Sequence, residues 1–380
     1  MSPTADPSAS STARLDGVRL DWADIQARGQ RGEGISEAEA LAIGALESAE
    51  ELTALLACTE AIRLHHKGRF INTCGISNAK SGRCPEKCNF CSQSAHFQTE
   101  APRYSTKSAD TLVDEARAAF GQGVREFSVV MAGRAITAEP DLRTLEDAFR
   151  RIRAETGLQT CASLGLMSRE GLERLQAAGL QSMHHNLETA RSHHPNIVES
   201  HTYDDERETL LHAKSLGMYV CSGGIFGMGE TWAQRVELAL DLREIDVDSV
   251  PVNFLNPRPG TPMAGRRELS PVDCLKIIAM LRLVLPTKDI LVCGGREMNL
   301  QHEQVNMFKA GANGLMLGNY LTTRGTALDE DVALLAAQGL VVRPPPHQPH
   351  PPSVAPEIRS PGTDLGELAH KPRALAPPAP

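Results

Sequence analysis

The chain has 380 residues, is 41% hydrophobic and carries a formal net charge of -8. That size allows one large domain with a full core, or two smaller ones. The acidic balance, with no basic run, excludes an electrostatic footprint for nucleic acid.

The opening residues MSPTADPSASSTARL have no basic start followed by an apolar run, so no signal peptide is expected. No apolar stretch reaches the roughly 18 residues that a membrane helix needs. A cytoplasmic, soluble protein is the expectation. Residues 1–57 read as a loose polar arm to about residue 35, followed by a helix around 36–57.

From 58 to 342 the pattern alternates. Short β-rich runs stand at 69–74, 125–131, 159–164, 181–186, 218–224, 248–254, 289–293 and 313–318. Amphipathic segments lie between them, among them SADTLVDEARAAF, SREGLERLQAAG, YDDERETLLHAKSLG and SPVDCLKIIAMLRLVL. Several open on a Ser or Asp cap and close near Gly, as helices do. Eight strands alternating with helices imply parallel pairing and an α/β fold of the (β/α)8 barrel type, with a doubly wound open sheet as the alternative. Residues 343–380 hold half of the chain's 24 prolines. Proline removes backbone donors and fixes φ, so this tail is expected to be disordered.

Nine cysteines in a long chain without a secretory signal point to metal binding or catalysis rather than disulfides. Three of them, Cys84, Cys88 and Cys91, form C-x3-C-x2-C within CGISNAKSGRCPEKCNFCSQSAHF. Thiolates are the usual ligands of iron–sulfur clusters. Three cysteines on one loop can hold three irons of a 4Fe-4S cluster and leave the fourth iron open. A zinc site completed by His96 is the alternative.

The spacing resembles the radical S-adenosylmethionine (SAM) superfamily. There the open iron binds the amino and carboxylate groups of SAM, and one electron cleaves the sulfonium to give a 5′-deoxyadenosyl radical. Phe90 fits an aromatic position near the adenine. A longer set of segments resembles the biotin synthase family, from about residue 60 to 323. They are NAKSGRCPEKCNFCSQSAHF, HHNLETA, VCSGGIFGMGET, SVPVNFLNPRPGTP, GGREMN and AGANGLMLGNYLTT.

The resemblance implies insertion of sulfur into dethiobiotin at the expense of two SAM, with the sulfur drawn from an auxiliary iron–sulfur cluster inside the barrel. It implies a flavodoxin- or ferredoxin-type electron donor and suggests a homodimer. It places Gly223, Gly224, Gly227 and Gly229 at the methionine part of SAM. Asn186 and Glu188 fall at the ribose, and Asn186, Asn253 and His184 near substrate, although His184 stands where the common pattern has asparagine. Other radical SAM barrel enzymes, of the hydrogenase-maturation or mutase kind, and a non-enzymatic metal-binding protein are the rival readings.

The common form of the family holds a 2Fe-2S auxiliary cluster with three cysteines and one arginine. Cys161 and Cys221 match two of the cysteines, but Ser128 stands for the third and Leu291 for the arginine. Cys74 and Cys293 offer compensation, since all four cysteines fall on odd-numbered strands and alternate strands share an interior layer in such barrels. A four-iron auxiliary cluster on Cys74, Cys161, Cys221 and Cys293 is the expectation. In TYDDERETL the arginine is Arg207, one residue later than the pattern has it, and Glu206 takes its place. Arg296 in GGRE is a site candidate of unknown role. Cys58 and Cys274 sit in helical patterns and read as packing residues.

Overall fold

A computed structural model describes residues 12–15, 17–323 and 325–343. The proline-rich tail expected to be disordered lies outside the described residues beyond 343.

Eight parallel strands form the barrel. They are β1 (Phe70–Lys80), β2 (Glu126–Met131), β3 (Gln159–Ser163), β4 (Ser182–His184), β5 (Tyr219–Cys221, resuming as Gly224–Phe226), β6 (Ser249–Phe254), β7 (Asp289–Val292) and β8 (Gly314–Met316). Each strand pairs with the next, and β8 returns to β1 through Met316 and Cys74, so the sheet closes. Closure rules out the open doubly wound sheet. All eight expected runs become strands. Cys293 falls one residue beyond the end of β7.

Helices follow the strands on the outside: α1 (Ala109–Gly121), α2 (Glu139–Thr156), α3 (Arg169–Ala177), α4 (Tyr203–Ser215), α5 (Trp232–Ile245), α6 (Pro271–Val284), α7 (Arg296–Leu300) and α8 (Leu328–Ala337). The expected caps are there. Ser108, Ser168 and Ser270 accept from backbone N–H groups of the first turns of α1, α3 and α6.

The N-terminal reading needs two corrections. Residues expected to be a loose arm form a hairpin, Thr12–Leu15 with Val18–Asp21, and a helix, Trp22–Gln30. Buried Leu20, Trp22 and Ile25 anchor that segment in the main core. The single helix expected at 36–57 is two, Glu37–Gly44 and Ala49–Lys67, because Ser48 starts a new capping box with Glu51.

Period-two alternation sorts the strand residues into two cores. Phe127, Val129, Ala162, Met183, Val220, Val250, Val252, Ile290 and Leu315 pack outward against the helices in the main core. The alternate residues face inward. At the N-terminal end of the barrel, Asp289 is held by Lys67 at 2.7 Å, Asn313 at 2.7 Å and Tyr219 at 3.1 Å. One layer further along lie Cys74, Cys161, Cys221 and Leu291 on the odd-numbered strands, flanked by Ser128, Ser182 and Ser249 on the strands between. Cys58 and Cys274 are buried in the outer core, as expected of packing residues.

Candidate active site

Register places the interior cysteines. Cys161 on β3 pairs with Ser128 on β2 and Ser182 on β4. Cys221 pairs with His184 and Ser249, and Cys74 with Glu126 and Met316. Cys293, two residues past inward-facing Leu291, packs with Cys74, Leu291 and Met316 in a small cluster separate from the main core. All four thiols are buried.

Burial pushes the thiols of Cys74, Cys161 and Cys221 well above their ordinary range, and that of Cys293 up to about 12. Negative charge nearby adds to the shift. Cys74 senses Glu126, Cys293 and Cys161, while Cys221 senses Glu126, Cys74 and Cys293. All four face the barrel interior, and Cys74 and Cys293 pack together there. Burial also lifts the Glu126 carboxyl to about 7, against a hydrogen bond with Cys161. The hydroxyl oxygens of Ser128, Ser182 and Ser222 are buried with no hydrogen-bond partner. Soft sulfur donors, orphaned hydroxyls and the absence of any competing amine suit a sulfide-rich cluster.

A pocket of ≈ 380 Å³ opens directly above this layer. Two residues beyond Cys74, Ser128 and Cys161, the side chains of Ile76, Val130 and Ser163 line it. It therefore occupies the C-terminal ends of the strands, where such barrels carry out chemistry. Cys84, Cys88, Cys91 and Phe90 line its upper wall, and His184, Asn186, Glu188 and Asn253 line it elsewhere.

The three-cysteine loop is held by its own backbone and by the segment after β4. Cys84 N–H donates to Gln93 O at 3.0 Å and Cys91 N–H to Cys88 O at 2.9 Å. Asn89 N–H donates to Ile197 O at 2.9 Å, and Glu199 N–H to Lys87 O at 3.1 Å. The Glu86 carboxylate, between the first two cysteines, accepts from Ser200 Oγ at 2.7 Å. His96 is spent on the loop itself, with Nε2 3.0 Å from Pro85 O. Among the described residues, no group with ligand atoms all within 4.8 Å of one another contains a cysteine. One zinc ion would draw its thiolates that close at Zn–S distances of about 2.3 Å.

On the opposite wall, Asn186 Oδ1 accepts from Gly223 N–H at 3.2 Å and lies 3.0 Å from His184 Nε2. Asn253 Oδ1 accepts from Gly294 N–H at 2.9 Å. Glu188 adopts a left-handed φ of 59°, a strained conformation of the sort found at functional sites. Burial, then the Glu206 charge, raises its carboxyl to about 8.

Two groups of expected site residues stand elsewhere. The four glycines do not line the pocket. A Cβ on Gly223 would strike Pro251 O at 2.1 Å, so this glycine serves close packing of β5 on β6. The Glu230 carboxylate accepts from the N–H groups of Gly227 and Met228 at 2.9 and 2.7 Å and fixes the turn. Arg207 pairs with Glu244 at 2.6 Å and is not among the residues that line the pocket. Glu206 lines the pocket instead. Arg296 is fully buried in a two-point pair with Asp331, both bonds 2.7 Å, and lies 3.4 Å from the Tyr320 hydroxyl. It braces Tyr320, which lines the pocket, and is not itself a lining residue.

Comparison with known proteins agrees with this geometry. The radical SAM superfamily model matches residues 79–242, and that of the biotin and thiamin synthesis associated domain matches residues 251–341. A biotin synthase of Anaeromyxobacter dehalogenans is 53% identical over 299 residues, 78% of this chain and 83% of the relative. The chain belongs to the biotin synthase family. A Geobacter sulfurreducens member is 48% identical over 313 residues, covering 82% of this chain and 95% of the relative. Among solved structures, methylornithine synthase superposes with a TM-score of 0.74 at 20% identity, covering 84% of this chain and 97% of the other. The hydrogenase maturase HydG of Carboxydothermus hydrogenoformans gives 0.70 at 19%, covering 84% and 78%. These two likenesses concern the fold.

Proposed function

We infer that this enzyme inserts sulfur into dethiobiotin to form biotin, using radicals generated from SAM, and that the sulfur comes from inside its own barrel. The observation that carries this reading is the stacking of two cysteine sets along one axis with a pocket between them.

Cys84, Cys88 and Cys91 would hold a 4Fe-4S cluster, three thiolates for four irons. When bound, that cluster gives one electron to the sulfonium of SAM and releases methionine and a deoxyadenosyl radical. Phe90 offers a face for the adenine. Asn186 and Glu188 suit the ribose, Glu188 as a neutral acid able to donate below about pH 8. Asn253 and His184 stand deeper, beside the substrate. The apolar side chains of Ile76, Val130 and Met316 form the floor and keep water from the radical.

Cys74, Cys161, Cys221 and Cys293 would hold the auxiliary cluster, with four irons because there are four thiols and no arginine. When bound, it supplies the inserted sulfur. Each thiol is neutral while free, so installing the cluster releases protons. A flavodoxin- or ferredoxin-type protein is the donor class that fits the electron demand.

The test is a single-turnover assay under anaerobic conditions with dethiobiotin, SAM and reductant, read by liquid chromatography and mass detection. Biotin and 5′-deoxyadenosine are expected together. Deoxyadenosine without biotin would leave a radical SAM enzyme with a different substrate.

A further inference from the structure

Beside the SAM end of the pocket, three side chains converge that the proposed chemistry does not use. His194 opens the single-turn helix His194–Asn196 after β4, His201 precedes the Thr202 cap of α4, and Glu206 stands in the first turn of α4. Their ligand atoms all lie within 4.8 Å of one another. His201 Nε2 is 2.9 Å and His194 Nε2 3.3 Å from Glu206 Oε1. The side chains are 8%, 2% and 2% exposed. Ligands held tetrahedrally at about 2.0–2.1 Å from one ion stand about 3.3 Å apart, close to these separations.

The local hydrogen bonding is incomplete. Glu206 Oε2 and His185 Nε2 are buried without a hydrogen-bond partner, and His194 Nε2 has only its 3.3 Å approach to Glu206 Oε1. Buried polar atoms left without partners are costly, so their grouping here marks a missing ligand. On the outer side, His201 Nδ1 lies 2.5 Å from Glu86 Oε2. A carboxylate on one ring nitrogen fixes the tautomer and leaves Nε2 with a lone pair for a metal. A proton on His201 is the rival occupant. It would satisfy His201, but neither Glu206 Oε2 nor His194 Nε2.

We propose that His194, His201 and Glu206 bind one divalent transition-metal ion, zinc by ligand chemistry, with a fourth position left for water. Two imidazoles and a carboxylate suit zinc. Through His201 and Glu86 the ion ties the Cys84–Cys91 loop to the start of α4. The site contains no thiol, although His201 and Glu206 line the same pocket as Cys84, Cys88 and Cys91.

The test uses anaerobically purified full-length enzyme with its clusters, incubated with zinc sulfate and desalted. Elemental analysis should find about one zinc per chain beyond the iron, and zinc X-ray absorption a shell of nitrogen and oxygen near 2.0–2.1 Å without sulfur. Glu206→Gln and His194→Ala should each lower zinc at least tenfold with iron and sulfide unchanged. Absence of retained zinc, a shell containing sulfur, or equal zinc in Glu206→Gln would overturn the proposal. The absorption measurement on the unmodified enzyme decides even if a variant fails to fold.

Discussion

Cys161 and Ser128 are register partners on adjacent strands, both facing the barrel interior. A thiol and a hydroxyl therefore share the space where the common pattern has two thiols. The fourth and third sulfur donors must come from elsewhere, and Cys74 and Cys293 face the same interior. Cys74→Ala and Cys293→Ala are each expected to abolish the auxiliary cluster while leaving the SAM cluster intact. Iron and sulfide counts after anaerobic reconstitution should fall by about half, as loss of one four-iron cluster of two requires. Unchanged counts would reduce both cysteines to packing residues.

Glu188 predicts a pH dependence. Its carboxyl is neutral in the folded protein up to about 8, against an ordinary value of 4.5, because burial opposes the charge. The unfolded chain ionises it earlier. Its contribution is present in full below pH 4.5 and is lost as pH rises through about 8. Glu188→Gln keeps the shape and removes the titration. Thermal unfolding of the cluster-free protein should show a Tm advantage for this variant that grows between pH 5 and pH 8, on the order of a few degrees. A constant difference across that range would show that Glu188 titrates normally.

Arg296 and Asp331 form a buried two-point ion pair, at 1% and 0% side-chain exposure. Asp331→Asn leaves the guanidinium with only Glu297, at 3.6 Å, as counter-charge and is expected to cost about 3 kcal/mol of stability. Denaturant unfolding measures this. A loss of activity at unchanged stability would instead place Arg296 in the chemistry.

Much of this arrangement was legible in the sequence. Eight β-rich runs at barrel spacing announced the strands, and C-x3-C-x2-C announced the upper wall of the pocket. Counting the strands put Cys74, Cys161 and Cys221 on odd-numbered ones, and Cys293 falls just past the end of the seventh. The arm was misread because its few apolar residues, Leu20, Trp22 and Ile25, are buried by the rest of the fold rather than by local periodicity. In the glycine turn after β5, the sequence does not show that Gly223 and Gly224 lie against the backbone of Pro251 and Glu188. Glu86, His201 and Glu206 were missed as a group since each lies in an ordinary polar stretch and only the folded chain unites them. Glu126 gave no signal either, because an acidic residue at a strand start is usually exposed.

The central claim is that the inserted sulfur resides on the four interior cysteines before turnover. Protein reconstituted with sulfide enriched in sulfur-34, freed of excess sulfide and given dethiobiotin, SAM and reductant for one turnover, tests it by the mass of the product. Biotin carrying the heavy isotope is the predicted result, with none formed by Cys161→Ala. Biotin of natural isotopic mass from the labelled enzyme would contradict the account.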